Sequence, residues 1–393
     1  FRRSKATDSL PPPEPGRVED LLSVLEFWEL GEGQTTLALS WLLGALSPGP
    51  YPLMALSGEQ GSGKTTLARV LQRMVDPGDV SSLPRESRDL FVAARHSHVL
   101  GFDNVSGLPG WLSDDLCKLS TGGTLRVREL YTDGDEVFFH ALRPVILNGI
   151  TDFVARQDLV DRAILLHLPR LERYEAEAEL WDRFNRLHAR ALGALLDLAS
   201  LALRELPRTR VPNLRMADFA RWALAAEAGY APPGTFERAF ADMRHDSIRV
   251  ALDSEPIYPY LPRLLEQGRV EATAAELLER LNGLRGDGKP PEGWPRTPHA
   301  LGQSLKRLAP ALRQVGLLAE PLPRSSVKRG WAIDKVGGAN VTNVIQSAEP
   351  RQGRKNGMTF GAGGNVTQTS PGAGGNVTDD VSDDIYPEEM SLE

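Results

Sequence analysis

From Val18 to Leu30 the apolar residues Leu21, Leu22, Val24, Leu25 and Trp28 recur at helical spacing. Thr35 to Leu46 repeats the pattern, so two helices are expected ahead of the first strand, with Trp28 and Trp41 as core residues. Tyr51 to Leu56 is then a continuous apolar run of strand length, and Leu67-Ala68-Arg69-Val70-Leu71 returns to helical spacing. His98 to Asn104 reads as a short buried strand. Trp111 to Ser120 reads as a helix, capped by Ser113 or a neighbour and stopped at Gly122-Gly123. Two alternating runs, Leu125–Tyr131 and Glu136–His140, flank Thr132-Asp133-Gly134-Asp135, which has the Asp-Gly hairpin signature. Arg143–Gly149 is the next strand, and a charged turn from Arg156 leads into a fifth, ending at Pro169. Buried strands alternating with helices predict an α/β fold.

The second half reads as helices. Glu172 to Leu206 is a long helical pattern, expected as two helices ending before Pro207. Further helices open at Arg215 and span Phe236–Val250. Glu271–Asn282 is a capped amphipathic helix. After a Gly/Pro-rich loop another helix starts at Thr297, and Val315–Ala319 with Gly330–Ile333 make a two-stranded wing, together a winged helix-turn-helix pattern. At the ends, Pro11-Pro12-Pro13, Pro15 and Gly16 predict a linker, and the Gly/Asn/Thr/Ser/Asp-rich stretch beyond residue 335 predicts disorder. The Asn-Val-Thr triplets there match a glycosylation sequon that a cytosolic chain does not use. The expected division is 1–17 linker, 18–170 nucleotide-binding core, 171–262 helical lid, 263–335 winged helix and 336–393 acidic tail.

Charge changes this picture in two places. The formal net charge of −7 comes from seven carboxylates between Asp379 and Glu393, so residues 1–378 are neutral overall. Between Arg296 and Trp331 seven bases (Arg296, Lys306, Arg307, Arg313, Arg324, Lys328, Arg329) face one acid, Glu320, a local charge of +6 suited to duplex DNA. A partner-binding winged helix with a solvated basic face is the alternative. The single cysteine, Cys117, excludes an intramolecular disulfide, and apolar runs such as Leu37–Leu46 stop at Pro48, short of a membrane span. A cytoplasmic protein without membrane association is expected. The chain opens at Phe1 rather than Met, which leaves open whether a further domain precedes it.

The chemistry concentrates at Gly58-Glu59-Gln60-Gly61-Ser62-Gly63-Lys64-Thr65-Thr66, between a strand pattern and a helix pattern. This fits the phosphate-loop motif without a mismatch. Its glycines let successive backbone N–H groups curl round an anion, Lys64 reaches the β- and γ-phosphates of ATP, and Thr65 holds Mg²⁺. Asp103, at a strand end about 40 residues on, is placed to complete the metal site; a simple capping role is the other reading. Asn148 ends the next strand and is read either as orienting the attacking water or as a strand-end cap. Arg162, with Arg156 as runner-up, is read as serving the nucleotide of a neighbouring subunit or as a local salt bridge to Asp158 or Asp161.

The order phosphate loop, Asp103-Asn104, Asn148, Asp161-Arg162 resembles the AAA+ ATPases, in the branch with a hairpin before the Asn148 strand. Trp111-Leu112-Ser113-Asp114, Thr121-Gly122-Gly123, Arg128-Glu129-Leu130-Tyr131 and Arg143 to Ile150 resemble the ATPase part of replication proteins of prophages, plasmids and integrated elements. These are similar to superfamily-three and poxvirus-type primase-helicases, and the likeness covers about residues 20–335. It implies a three-layer ATPase domain with a helical lid, a homo-oligomeric ring (a hexamer) or filament, DNA as partner, a primase domain or protein nearby, and Arg215 as a lid arginine sensing the γ-phosphate. Two departures stand out. Asn104 replaces the usual second acid, and the hairpin tip is acidic, which leaves Arg126, Arg128 or His140 for DNA. The reading is an ATP-hydrolysing replication helicase. Its rivals are an ATP-switched initiator or loader with little turnover, and a regulatory ATPase that binds proteins.

Overall fold

The computed structural model describes residues 9–128, 136–149, 157–322 and 330–335. Val18–Leu25 (α1) tightens into a 3-10 turn ending at Trp28, and Glu32–Ala45 (α2) follows. Leu53–Gly58 is β1, Lys64–Val75 α3, Ser87–His96 α4, Leu100–Val105 β2 and Gly110–Thr121 α5. Gly123–Arg128 (β3) and Glu136–Ala141 (β4) form an antiparallel pair, followed by Val145–Gly149 (β5), the single turn Gln157–Val160 (α6) and Ala163–Leu168 (β6). Next come Glu177–Glu205 (α7), Ala217–Ala226 (α8), Thr235–Asp253 (α9) and Leu261–Leu264 (α10). The last elements are Val270–Ala272 (β7), Ala274–Arg285 (α11), Pro298–Gln314 (α12), Leu317–Pro321 (β8) and Trp331–Lys335 (β9).

The main sheet is parallel, in the order β2-β5-β1-β6, with an isolated bridge from Ser81 to Phe102 outside β2. Its strands are predominantly apolar because both faces are covered. Met54, Leu56, Ile146, Ile164, Leu166 and Leu168 point into a core shared with α1–α3 and α7–α9. Their alternates Leu53, Ala55, Val145, Leu147 and Ala163 join Leu90, Phe91, Leu112 and Leu116 of α4 and α5 on the other side. That is a helix–sheet–helix sandwich. Trp28 and Trp41 are both 1% exposed, as expected of core residues. The β6 edge is closed by α9 and α2: the Leu165 N–H donates to Met243 Sδ at 3.1 Å, and Gln34 Nε2 donates to the His167 carbonyl at 2.8 Å.

The C-terminal elements build a second core around Leu277, Leu281, Leu301, Leu305, Leu308, Leu312 and Ile333. The three strands pair antiparallel in the order β7-β9-β8. Strand β7 was not expected; three residues are too few to show alternation. Helix α11 starts three residues later than the expected Glu271, since Glu271 and Ala272 belong to β7, and it is capped: the Thr273 hydroxyl accepts from the Glu276 N–H at 3.2 Å and the Glu276 carboxylate accepts from the Thr273 N–H at 2.8 Å. Helix α9 belongs to both cores, through Phe236 and Phe240 in the first and Ile248 and Leu252 in the second.

Three expectations are corrected. The two helices predicted between Glu172 and Leu206 are one, α7, because the buried stripe continues through His188 and Ala191, where no large apolar residue marks it. Within the expected linker Glu14 and Gly16 lie against α7, with the Glu14 N–H donating to the Ala189 carbonyl at 3.0 Å. A proline-rich segment needs no core of its own when a helix supplies one; Gly16 and Gly193 permit the close approach, since a Cβ on either would strike the opposing backbone at Arg190 or Glu14. Ser113 is not the cap of α5: it lies within the helix, its hydroxyl buried without a partner. The hairpin tip, Arg156, Arg324, Lys328, Arg329 and residues 336–393 lie outside the described residues. Among the described residues no helix is long and apolar enough to cross a membrane.

Candidate functional site

Parallel pairing brings the ends of β1, β2 and β5 to one edge. Leu56 of β1 is level with Asn148, and Phe102 of β2 with Leu147. The chain leaves β1 through a glycine loop and enters α3 at Lys64, so the loop and the α3 N-terminus face the ends of β2 and β5. Gly61 and Gly63 have φ of +83° and +73°, and a Cβ on Gly63 would stand 2.8 Å from the Trp28 indole nitrogen. Only glycine fits that turn without strain.

Lys64 is buried, and its ammonium donates to the carbonyls of Gly58 at 2.9 Å and Glu59 at 2.7 Å and to the Ser62 hydroxyl at 3.3 Å. Burial lowers its pKa, and the nearby Asp103 charge opposes that shift. The Thr65 hydroxyl donates to Asp103 Oδ1 at 3.1 Å, so two residues 38 positions apart meet side chain to side chain. The Asn104 N–H donates both to Asp103 Oδ1 at 2.6 Å and to Asn148 Oδ1 at 3.1 Å. Asn104 adopts φ +55°, in the left-handed region that asparagine tolerates, where β2 loses register with β5. A glutamate here would meet a backbone penalty, which gives a conformational reason for the missing second acid.

Asn148 is 2% exposed, and its Nδ2 has no hydrogen-bond partner among the described residues. A buried amide donor left unpaired costs about 1–3 kcal/mol, so it marks a place for an acceptor. The loop N–H groups, the Lys64 ammonium and this amide form a donor set suited to a polyphosphate. The Thr65 hydroxyl and Asp103 carboxylate are hard oxygen donors that suit Mg²⁺, which binds through one or two protein oxygens together with substrate phosphates. Among the described residues no group of three or more His, Cys, Asp or Glu side chains forms a metal cage.

Other expected site residues lie elsewhere. Arg162 precedes β6, level with the start of β1, roughly 16 Å of strand away from Gly58. Its guanidinium donates to the Asp158 carbonyl at 2.6 Å, while Asp161 pairs with Arg244 of α9 at 2.8 Å. Arg162 therefore does not serve its own chain's loop. Arg215 is exposed just before α8 and makes no hydrogen bond or ion pair with a described residue. In the β3–β4 register Thr124 is level with His140, Arg126 with Phe138 and Arg128 with Glu136. On α12, Lys306 is exposed; Arg307 forms a two-pronged pair with Glu255 at 2.6 and 2.8 Å, and Arg313 pairs with Glu320 at 3.0 Å.

One contributor escaped the sequence. The Trp28 indole N–H donates to the Gly63 carbonyl at 3.0 Å, the same carbonyl that accepts from the Leu67 N–H at 2.9 Å in the first turn of α3. Trp28 thus holds the peptide leading into Lys64. Nothing in the local pattern separates this tryptophan from an ordinary core residue.

Residues 18–245 match the family described as the actinomycete integrative conjugative element replication protein, and residues 260–347 match its C-terminal domain, AICE RepA. No curated protein matches the chain. Among solved structures, the apo A form of the NrS-1 C-terminal region aligns with 14% identity over 86% of this chain and 80% of that one, with a TM-score of 0.42. The helicase Cch of SCCmec type IV aligns with 14% identity over 86% and 73%, with a TM-score of 0.44. A JCV helicase aligns with 14% identity over 54% and 68%, with a TM-score of 0.24.

Proposed function

Because the chain belongs to the replication protein family of actinomycete integrative conjugative elements, we propose that it is a cytoplasmic AAA+ ATPase that binds and hydrolyses ATP while acting on DNA as a helicase-type motor. The observation that carries this reading is the Thr65–Asp103 hydrogen bond beside the unpartnered Asn148 amide, all at the edge where the glycine loop opens. In this reading the loop N–H groups and Lys64 bind the polyphosphate, Asp103 with Thr65 holds Mg²⁺, and Asn148 orients water. Bound there, Mg²⁺ supplies charge neutralisation at the phosphate oxygens. Arg162 acts in trans in a homo-oligomer, and α7–α9 form the lid with Arg215. The strand order and helices of residues 258–335 suit a winged helix whose α12 meets duplex DNA through Lys306, Arg307 and Arg313, and the basic residues of the hairpin suit a strand passing the body. A primase domain or protein is the partner this reading expects.

Steady-state ATP hydrolysis, with and without single-stranded and duplex DNA at two salt concentrations, tests the proposal. DNA stimulation that fades with salt is the expected result, and loss of turnover in Lys64→Ala ties it to this site. The second reading, an ATP-switched initiator or loader, is favoured by Asn104: Asp103 is then the lone carboxylate at the strand end, already engaged by two donors. Tight ATP binding without turnover under any condition selects it.

A further inference from the structure

The stretch joining β6 to α7, residues 169–176, has no regular structure and runs along the glycine loop. Three close approaches trace its course. A Cβ on Gly58 would stand 2.5 Å from the Leu168 carbonyl oxygen, one on Gly63 3.2 Å from Leu171 Cδ1, and one on Gly61 3.1 Å from the Tyr174 hydroxyl. Both ends are anchored. Leu168 is in register with Gly58, Glu175 pairs with Arg183 at 3.0 Å, and Glu177 at the start of α7 pairs with Arg69 of α3 at 3.4 Å.

Between these anchors Arg170 and Arg173 are exposed, and neither makes a hydrogen bond or ion pair with a described residue. Tyr174 is 69% exposed, more than any other large hydrophobic side chain among the described residues. Two guanidinium groups without a partner among the described residues and an exposed aromatic ring thus belong to a stretch that runs along the glycine loop. Arginine matches phosphate oxygens with paired donors. The exposed Glu172 is the remaining acid without an ion pair in this stretch.

We propose that residues 170–174 are a clasp over the nucleotide site: Arg170 and Arg173 contact the polyphosphate of a bound nucleoside triphosphate, and Tyr174 covers the loop at Gly61. This rests on reading the glycine loop as a nucleotide site. The clasp adds a cationic contribution from the strand-to-helix connection to the one proposed for Arg215.

The test is equilibrium binding of ATP, ADP and adenosine to the full chain and to the variants Arg170→Ala/Arg173→Ala, the matching double lysine variant, Glu172→Gln, Tyr174→Ala and Lys64→Ala. The double alanine variant is expected to bind ATP about tenfold or more weakly. The loss should shrink from ATP to ADP and vanish for adenosine, the lysine pair should restore part of it, and Glu172→Gln should bind no more weakly than the parent. Tyr174→Ala should release ATP faster; an unchanged release rate removes Tyr174 from the clasp. Arg170, Glu172, Arg173 and Tyr174 are exposed, so thermal unfolding of their variants should not move. Parent-like ATP affinity in the double alanine variant, while Lys64→Ala loses binding, overturns the clasp and leaves the loop reading standing. Parent-like affinity in Lys64→Ala as well overturns the loop reading. Equal losses for ATP and adenosine also overturn the clasp, since phosphate would then not be the group recognised.

Discussion

The edge of the parallel sheet and the C-terminal antiparallel module handle their polar groups in opposite ways. At the sheet edge Lys64 is bonded within the glycine loop, Thr65, Asp103, Asn104 and Asn148 are joined by hydrogen bonds, Lys64 and Asn148 are buried, and one donor, Asn148 Nδ2, is left over among the described residues. In the C-terminal module the basic residues stand in solvent, and Arg307 and Arg313 are each matched by a carboxylate. A buried array works by position, because an unmet donor there costs what water cannot return. An exposed array works by summed charge, and its individual pairs are worth at most about 1 kcal/mol. Substitutions should therefore act steeply at the first region and gradually at the second.

The largest effect is expected from Lys64→Ala, with turnover falling about a hundredfold or more, measured as phosphate release at saturating ATP. Undiminished turnover would remove the glycine loop from the chemistry. Asn148→Ala should lower turnover roughly tenfold or more, with a smaller change in nucleotide affinity, because the group it removes orients rather than anchors. An equal loss in both would recast Asn148 as a binding residue. Trp28→Phe keeps a ring in the core but deletes the N–H bonded to Gly63. It should weaken nucleotide binding about fivefold, the worth of one hydrogen bond near 1 kcal/mol; titration with a fluorescent nucleotide reads it, and unchanged affinity detaches Trp28 from the site. Smallest per residue is Arg307→Ala, which should lower duplex affinity similarly for all sequences and reduce the slope of log affinity against log salt by about one. A sequence-dependent loss would mean that α12 reads bases, sharpening the contrast between the two regions in a different direction.

How much of this was readable in advance varied by element. The glycine loop, the strands that carry Asp103 and Asn148 and a capped helix after Thr273 all appear, with ends shifted by one to three residues, and the resemblance to replication proteins of integrated elements agrees with the family match. Each of these signals is short-range: a glycine run, a strand-length apolar run, a Thr-x-x-Glu box. The continuity of α7 was hidden because His188 and Ala191 carry its buried stripe, and the packing of Glu14 and Gly16 was hidden because their partner is a helix some 175 residues away.

By itself the sequence determined most element types, the phosphate-loop motif and the location of the basic cluster, since those depend on residue type and spacing within a few turns or one strand. Only the tertiary structure decided which polar groups meet. Parallel register sets Asn148 level with β1 and brings its Oδ1 to the Asn104 N–H. Packing of the first 3-10 turn puts Trp28 against Gly63, and the path out of β6 lays Arg170, Arg173 and Tyr174 along the glycine loop. Those juxtapositions join residues 35 to 113 positions apart, and no local preference encodes them; they follow from how buried faces of the sheet and helices fit together.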